Sequence, residues 1–433
     1  MNEDYEHHPR RKRRWLSGCL VILGTVVLMA VIAWLLLGAS SDRSTEALRA
    51  KGYPTTLVEL NAWYVEPPIG ENAAGYYLEA GKLFENASFS DYDNLPIQGQ
   101  ADLPPLGTPI PDEMRAVVRA FLDHEVQAFE LIDEGSEFEE VRYPANFNMA
   151  PGSVLFPHLT SVRNLVRGQN LRTLYHSGQS DVDTLLAEYD KLVGVSRSLR
   201  NEPMLLANMV NVALIGMTVS TTERMLNEND FTTEQLKQLD SSLALLMDDD
   251  ALARAFIGER CFGTSMMASQ NRIPVVGGIF RADYVGAIDD FIEIAEEGLP
   301  LELDAYKSRL NQTYSYFRPF SSLISEPFTR NIESYYETHA LIMAARVAIA
   351  IQNSRLDGGD LPGSADGFPE SVLSAWSIDP FSGEPLIYKQ FDEGFIVYSV
   401  GGNMVDDEGI FAEAGPDEHR KRGMQDVVFR ILK

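Results

Sequence analysis

The hydropathy pattern opens on one uninterrupted apolar run. From Trp15 to Ser41 there are 27 residues without a charge, most of them Leu, Val, Ile, Ala and Gly. A helix of ~20 apolar residues crosses a ~30 Å hydrocarbon core, so the run is long enough to span a bilayer. Arg10, Arg11, Lys12, Arg13 and Arg14 precede it, and Asp42 and Arg43 follow. That asymmetry predicts a basic cytoplasmic tail (1–14), a transmembrane helix (15–41) and an ectodomain on the far side of a bacterial inner membrane. A cleaved signal peptide has an apolar region of only ~7–15 residues. Leu16-Ser17-Gly18-Cys19 has a lipoprotein-like order, but its apolar region follows the Cys rather than preceding it.

Beyond the run the pattern is helical. Residues 42–51 continue the membrane helix outward until Gly52, and Thr56 caps a short helix through Trp63. Helices are predicted at 71–85, 111–133 and from about Leu155 to near Gly178, then from Asp181 through Leu199. Asn201-Glu202-Pro203 reads as a helix start, combining a cap, an acid and a first-turn Pro. Met204 to Thr222 holds no charge over 19 residues, which is long enough for a second span. Asn208, Asn211 and the Ser/Thr residues predict a buried core helix instead. Further helices are expected at 232–248, 250–269, 284–297, 300–316 and 329–354, with Asp248-Asp249-Asp250 as a helix stop and new cap. Ile273–Phe280 is expected to be a packed loop, and Pro319 and Pro327 to bracket another.

After Ser354 the texture changes. Gly and Pro become frequent, and β-like runs occur at 385–389, 395–400 and 427–432. The expected fold is mainly α: the transmembrane helix, a multi-helix ectodomain (42–328), and a small α+β unit (329–433). The tail carries Arg355-Leu356…Gly359…Leu361-Pro362, Asp379-Pro380-Phe381…Gly383…Pro385-Leu386…Tyr388, Tyr398-Ser399-Val400-Gly401, Asp406-Asp407-Glu408-Gly409 and Asp426-Val427-Val428. In that order these resemble the globular domain of type II secretion major pseudopilins, over about 80 residues. The resemblance implies a helix, two turns and a β-hairpin, with a calcium-binding final loop. The N-terminus departs from that family: aligning Gly18 with its cleavage Gly puts Leu23 where its Glu stands. The whole chain resembles single-pass bacterial envelope proteins with an N-terminal anchor, a helical middle and this same tail.

Charge narrows the partners. The first 14 residues hold five bases and three acids, which leaves residues 42–433 with 31 bases against 60 acids, a net −29. A surface that acidic repels nucleic acid and attracts cations or basic partners. Cys19 and Cys261 lie too far apart in sequence and compartment to frame a disulfide, so the ectodomain depends on its core. His124, His158, His176, His339 and His419 show no metal-ligand spacing and read as surface or structural residues. Cys261 reads as a buried small residue, and Arg163 and Arg167, one turn apart, as paired with the protein's own carboxylates. The candidate metal ligands are Asn403, Asp406, Asp407, Glu408 and Asp426, a carboxylate-rich set suited to Ca²⁺. The function expected is that of a membrane-anchored interaction or structural component of the bacterial envelope, with the lipid bilayer and an envelope protein as partners. The alternatives are an envelope hydrolase with a dispersed site, or a component working with a secretion or pilus-like system.

Overall fold

The computed structural model describes residues 41–85, 88–145, 147, 156–270, 274–298, 321–358, 361–391, 394–409 and 426–433, with Thr25 and Leu28 besides. Most of the apolar run 15–41, the expected helix 300–316 and His419 lie outside the described residues. The described chain is mainly helical and ends in a small antiparallel sheet, as the pattern predicted.

Residues 41–50 are helical and stop at Gly52, whose φ of +82° suits a residue without a side chain. Then come α1 (Leu57–Trp63), α2 (Ala74–Glu85), α3 (Asp112–His124) and α4 (Val126–Gly135). They are followed by α5 (His158–His176), α6 (Val182–Ser196), α7 (Leu205–Glu228) and α8 (Thr233–Ala244). The last helices are α9 (Ala251–Gln270), α10 (Pro274–Glu297), α11 (Ser321–Leu356) and the short α12 (Glu370–Leu373). Side-chain caps at Thr56 and Asp181, and a capping box at Thr232 and Gln235, start α1, α6 and α8. The strands β1 (Ile387–Phe391), β2 (Gly394–Ser399) and β3 (Val427–Ile431) pair in that order, with Tyr388 opposite Val397 and Val397 opposite Phe429.

α7 is the central pillar. It packs against α5, α6, α9 and α11, and 67% of its most apolar window is buried. The polar residues that argued against a second span make interhelical bonds: Thr222 to Tyr189 (2.7 Å), Thr218 to Ser196 (2.7 Å), Thr221 to Asn170 (2.7 Å) and Asn208 to Asn331 (3.1 Å). One hydrophobic core runs from α1 to α8, along α11 and into the sheet. A second fills the space among α9, α10 and the first half of α11, where Phe256, Phe291 and Phe328 pack ring on ring.

Four local expectations need correcting. The helix expected over 111–133 is two helices that meet at Glu125. In a straight helix Phe121 and Phe129 lie ~12 Å apart along the axis, whereas here their rings are 6.5 Å apart and both pack on Phe84. The expected loop at 273–280 is helical from Pro274, a residue preset for a first turn. Pro327 lies inside α11 rather than in a loop, and Phe328 beside it is buried against Phe256 and Phe291. Asn201-Glu202-Pro203 does not start α7, which begins at Leu205. The Glu202 carboxylate is taken by His158, 2.8 Å away.

Candidate functional site

Two segments distant in sequence form facing walls of a cleft of about 810 Å³. One is the stretch after α1, Trp63 to Glu71, and the other is Glu137 to Val141; Asn201 and Arg254 complete the lining. The walls are stitched together. Ala73 N–H donates to the Glu140 carbonyl (3.0 Å), and the Asn72 side chain accepts from Arg142 N–H (3.0 Å) and donates to the Arg142 carbonyl (3.0 Å). Arg142 is buried, with its guanidinium 4.4 Å from the Tyr64 ring centre and 3.1 Å from Glu66. Tyr143 extends the lock inward: its N–H donates to the Tyr64 hydroxyl and its own hydroxyl to Ser198. The cleft is therefore set before any ligand arrives.

Its chemistry is acidic and apolar together. Glu71, Glu137, Glu139 and Glu140 are exposed, and none makes an ion pair among the described residues. Phe138 stacks on Tyr76 at 5.6 Å, and Val65 and Ile69 stand in solvent. Arg254 is the lining cation, and it is already held by Asp248 (3.1 Å) and the Arg200 carbonyl (2.6 Å). A Lys or Arg side chain suits this surface: its apolar stem lies on rings and prolines while its head meets carboxylates.

The carboxylates predicted to hold calcium are partly gathered. The loop folds back onto the start of β3: Asp426 accepts from Gly409 N–H (2.8 Å) and Asp407 N–H (3.3 Å). Asp406 accepts from Glu408 N–H (2.7 Å) and the Tyr398 hydroxyl (3.0 Å), and Asn403 donates to Asp407 (2.9 Å). Glu408 is brought near through its backbone, with its carbonyl accepting from Lys389. Burial first, and then the neighbouring Asp407 and Asp406, raise the Asp426 carboxyl against the lowering effect of those two N–H groups. Among the described residues no group of three or more His, Cys, Asp or Glu side chains is set to hold a metal.

Among the described residues, the remaining sequence candidates do not assemble a reacting centre. Cys261 is buried, donates to the Pro54 carbonyl, and has its thiol pushed up to about 12 by burial, so it is no nucleophile near neutral pH. His339 is buried on α11 with Nδ1 on the Tyr335 carbonyl, and burial lowers its pKa. Burial likewise lowers His176, and His124 pairs with the adjacent Glu125 at 2.7 Å. Arg163 and Arg167 make no ion pair with the protein's carboxylates among the described residues, contrary to the sequence expectation.

The buried His158–Glu202 pair was missed. Its side chains are 1% and 0% exposed, and the imidazole stacks on Tyr143 at 5.0 Å and 10°. Sequence alone offered only a helix-start motif at Glu202. The comparisons with known proteins return no matching family model, no matching curated protein and no matching solved structure.

Proposed function

We propose that this chain is a membrane-anchored, extracytoplasmic interaction protein of the bacterial envelope, and that its acidic cleft captures a basic segment of a partner protein. The observation that carries the reading is the set of four exposed glutamates, none in an ion pair among the described residues, on two walls locked together through Asn72 and Arg142. The anchor rests on the 15–41 run and the bases before it. The helix backed by three antiparallel strands supports a kinship of the tail with pseudopilin globular domains.

The test uses the full chain in detergent micelles and a fluorescent 12-residue peptide alternating Lys/Arg with apolar residues. Binding is expected to be saturable, weaker at higher salt, and absent for a Glu-substituted peptide. Glu139→Gln with Glu140→Gln removes two exposed ion pairs, which at ~0.5 kcal/mol each corresponds to about five-fold weaker binding. Equal affinity in the double variant, or equal binding of the acidic peptide, overturns the reading. An N-terminal tag degraded by protease added to spheroplasts overturns the topology.

A further inference from the structure

A smaller pocket, of about 230 Å³, lies between α2, the stretch after α4 and the turn that follows α6. It shares Phe138, Glu139, Val141 and Asn201 with the acidic cleft, but adds Tyr77, Lys191, Arg197, Ser198 and Arg200. We propose that this pocket binds the carboxylate or phosphate group of a small organic anion between Arg197 and Arg200, with the Tyr77 hydroxyl as a third donor.

The two arginines are the first observation. Both are half-buried, and neither guanidinium makes an ion pair or a hydrogen bond among the described residues. By contrast, Arg172 meets Asp133 and Glu188 at 2.9 Å, and Arg254 meets Asp248 at 3.1 Å. Lys191 is likewise held, by Asp133 (2.6 Å) and Glu188 (3.1 Å). Of the two lining acids, Asp190 accepts from Gln238 (2.9 Å) and Ser242 (2.5 Å), and Glu139 is exposed. Neither forms an ion pair with Arg197 or Arg200. Burial first, and then the neighbouring Arg200 guanidinium, hold Arg197 below the usual arginine range. Glu139 and Glu140 pull the other way without offsetting them. An anion between the two guanidinium groups replaces their repulsion with charge-assisted hydrogen bonds.

Tyr77 is the second observation. It is only 1% exposed, yet its hydroxyl has no hydrogen-bond partner among the described residues. Buried hydroxyls are seldom left so. Two glycines make its place. A Cβ at Gly135 would meet the ring at 2.6 Å, and one at Gly194, which lines the pocket, would stand 4.0 Å from the hydroxyl oxygen. Burial pushes that hydroxyl up to about 12, against the pull of Arg197, so near neutral pH it keeps its proton and donates.

The frame is set in advance. Arg200 N–H donates to the Arg197 carbonyl (3.0 Å), and the Arg200 carbonyl accepts from Arg254 (2.6 Å). Between them the Ser198 hydroxyl accepts from Tyr143 (2.9 Å). The α6 dipole favours a cation at Arg197, but that effect falls off within the last turn and does not account for Arg200. The pocket is smaller than the ~300–1,000 Å³ typical of drug-sized ligands, so it suits an anion of a few carbons.

The experiment is isothermal titration calorimetry of the full chain in detergent micelles, at fixed ionic strength, with succinate and, in parallel, with glycerol phosphate. Saturable one-to-one binding of at least one is expected, with none of uncharged glycerol. Binding of one and not the other identifies the anionic group. Arg197→Gln and Arg200→Gln each remove a charge-assisted bond and are expected to weaken binding about ten-fold. Both should melt no lower than the natural chain, because a repulsion is relieved. Tyr77→Phe keeps the ring and should weaken binding about five-fold; it is the readout if an arginine variant fails to fold. Glu139→Gln with Glu140→Gln, which weakens peptide capture by the acidic cleft, should instead tighten the anion about two-fold. The two readings therefore fail separately. No saturable binding of either anion overturns the proposal, as does unchanged affinity in folded Arg197→Gln and Arg200→Gln proteins. Weaker anion binding in the paired glutamate variant also overturns it, as does an effect that chloride matches at equal ionic strength.

Discussion

Glu259 offers a sharp test of how the second core is held. It sits on α9, one turn from Phe256 and Gly263, and Tyr284 donates to its backbone carbonyl at 2.8 Å. The residue keeps some surface, but its carboxyl has no partner among the described residues, and burial alone pushes its pKa up to about 7 from 4.5. Below pH 4.5 the group is protonated in both folded and unfolded chains and costs nothing. As pH rises from 4.5 to about 7 the unfolded chain ionises while the fold retains the proton, so stability falls. Above pH 7 the loss is complete, about 3 kcal/mol for a change of that size. Glu259→Gln is neutral at every pH and nearly the same shape. At pH 8 it is expected to be more stable than the natural chain by up to about 3 kcal/mol, roughly 3–6 °C in melting temperature. At pH 4 the two proteins should melt together. Thermal melts followed by circular dichroism at pH 4, 6 and 8 read the difference directly. A shift that does not change with pH, or a variant that melts lower at pH 8, refutes the assignment of a buried, unpaired carboxyl.

Three further outcomes are expected. Glu202→Ala leaves His158 buried without its partner and should cost about 3–5 kcal/mol in urea unfolding; a loss under 1 kcal/mol would mean the pair is not formed. Gly258→Ala places a methyl 1.6 Å from the Pro203 carbonyl oxygen, backbone that cannot swing aside, so a loss of about 1–3 kcal/mol is expected by the same assay. Millimolar Ca²⁺ should raise the melting point of the full chain more than Mg²⁺ does, with ~100-fold excess over Kd worth about 2.7 kcal/mol. Asp426→Asn should remove that difference; equal shifts from the two cations would indicate screening rather than a site at Asp406, Asp407 and Asp426.

Local chemistry made much of this fold legible. Thr56, Asp181 and Thr232 cap helices where their side chains can accept a backbone N–H, and Gly52 and Gly178 adopt the positive φ that helix ends favour. The aromatic and β-branched run Phe395-Ile396-Val397-Tyr398 marked β2. What stayed hidden depends on contacts across long stretches of chain. The break at Glu125 is set by Phe84, about 40 residues earlier, and the capture of Glu202 by His158, 44 residues away. The run Glu134–Glu140 is visibly acidic in the sequence. Nothing local could say that Asn72, 70 residues before Arg142, would pin it against the wall after α1 to form a cleft.

The same long-range coupling bears on the proposed kinship of the tail with pseudopilin domains. A boundary between 328 and 329 would cut α11, and α11 does not serve the sheet alone. Arg346 forms a two-pronged pair with Asp240 on α8 (2.7 and 3.1 Å), Asn331 bonds Asn208 on α7, and Tyr335 reaches the Asp248 carbonyl. The sheet is tied to α7 as well. Glu223 accepts from both the backbone and the guanidinium of Arg430, while Asn227 donates to the Arg430 carbonyl and accepts from Leu432 N–H. Those bonds use the free edge of β3, the row of groups that would otherwise recruit another strand. Strand addition from a second molecule is therefore blocked on that side and left only to β1, which carries Lys389 and ends at a half-exposed Phe391. A tail built this way belongs to the helical body. The proposed kinship with pseudopilin domains thus concerns the fold of the tail alone, and gives no reason to expect the chain to polymerise.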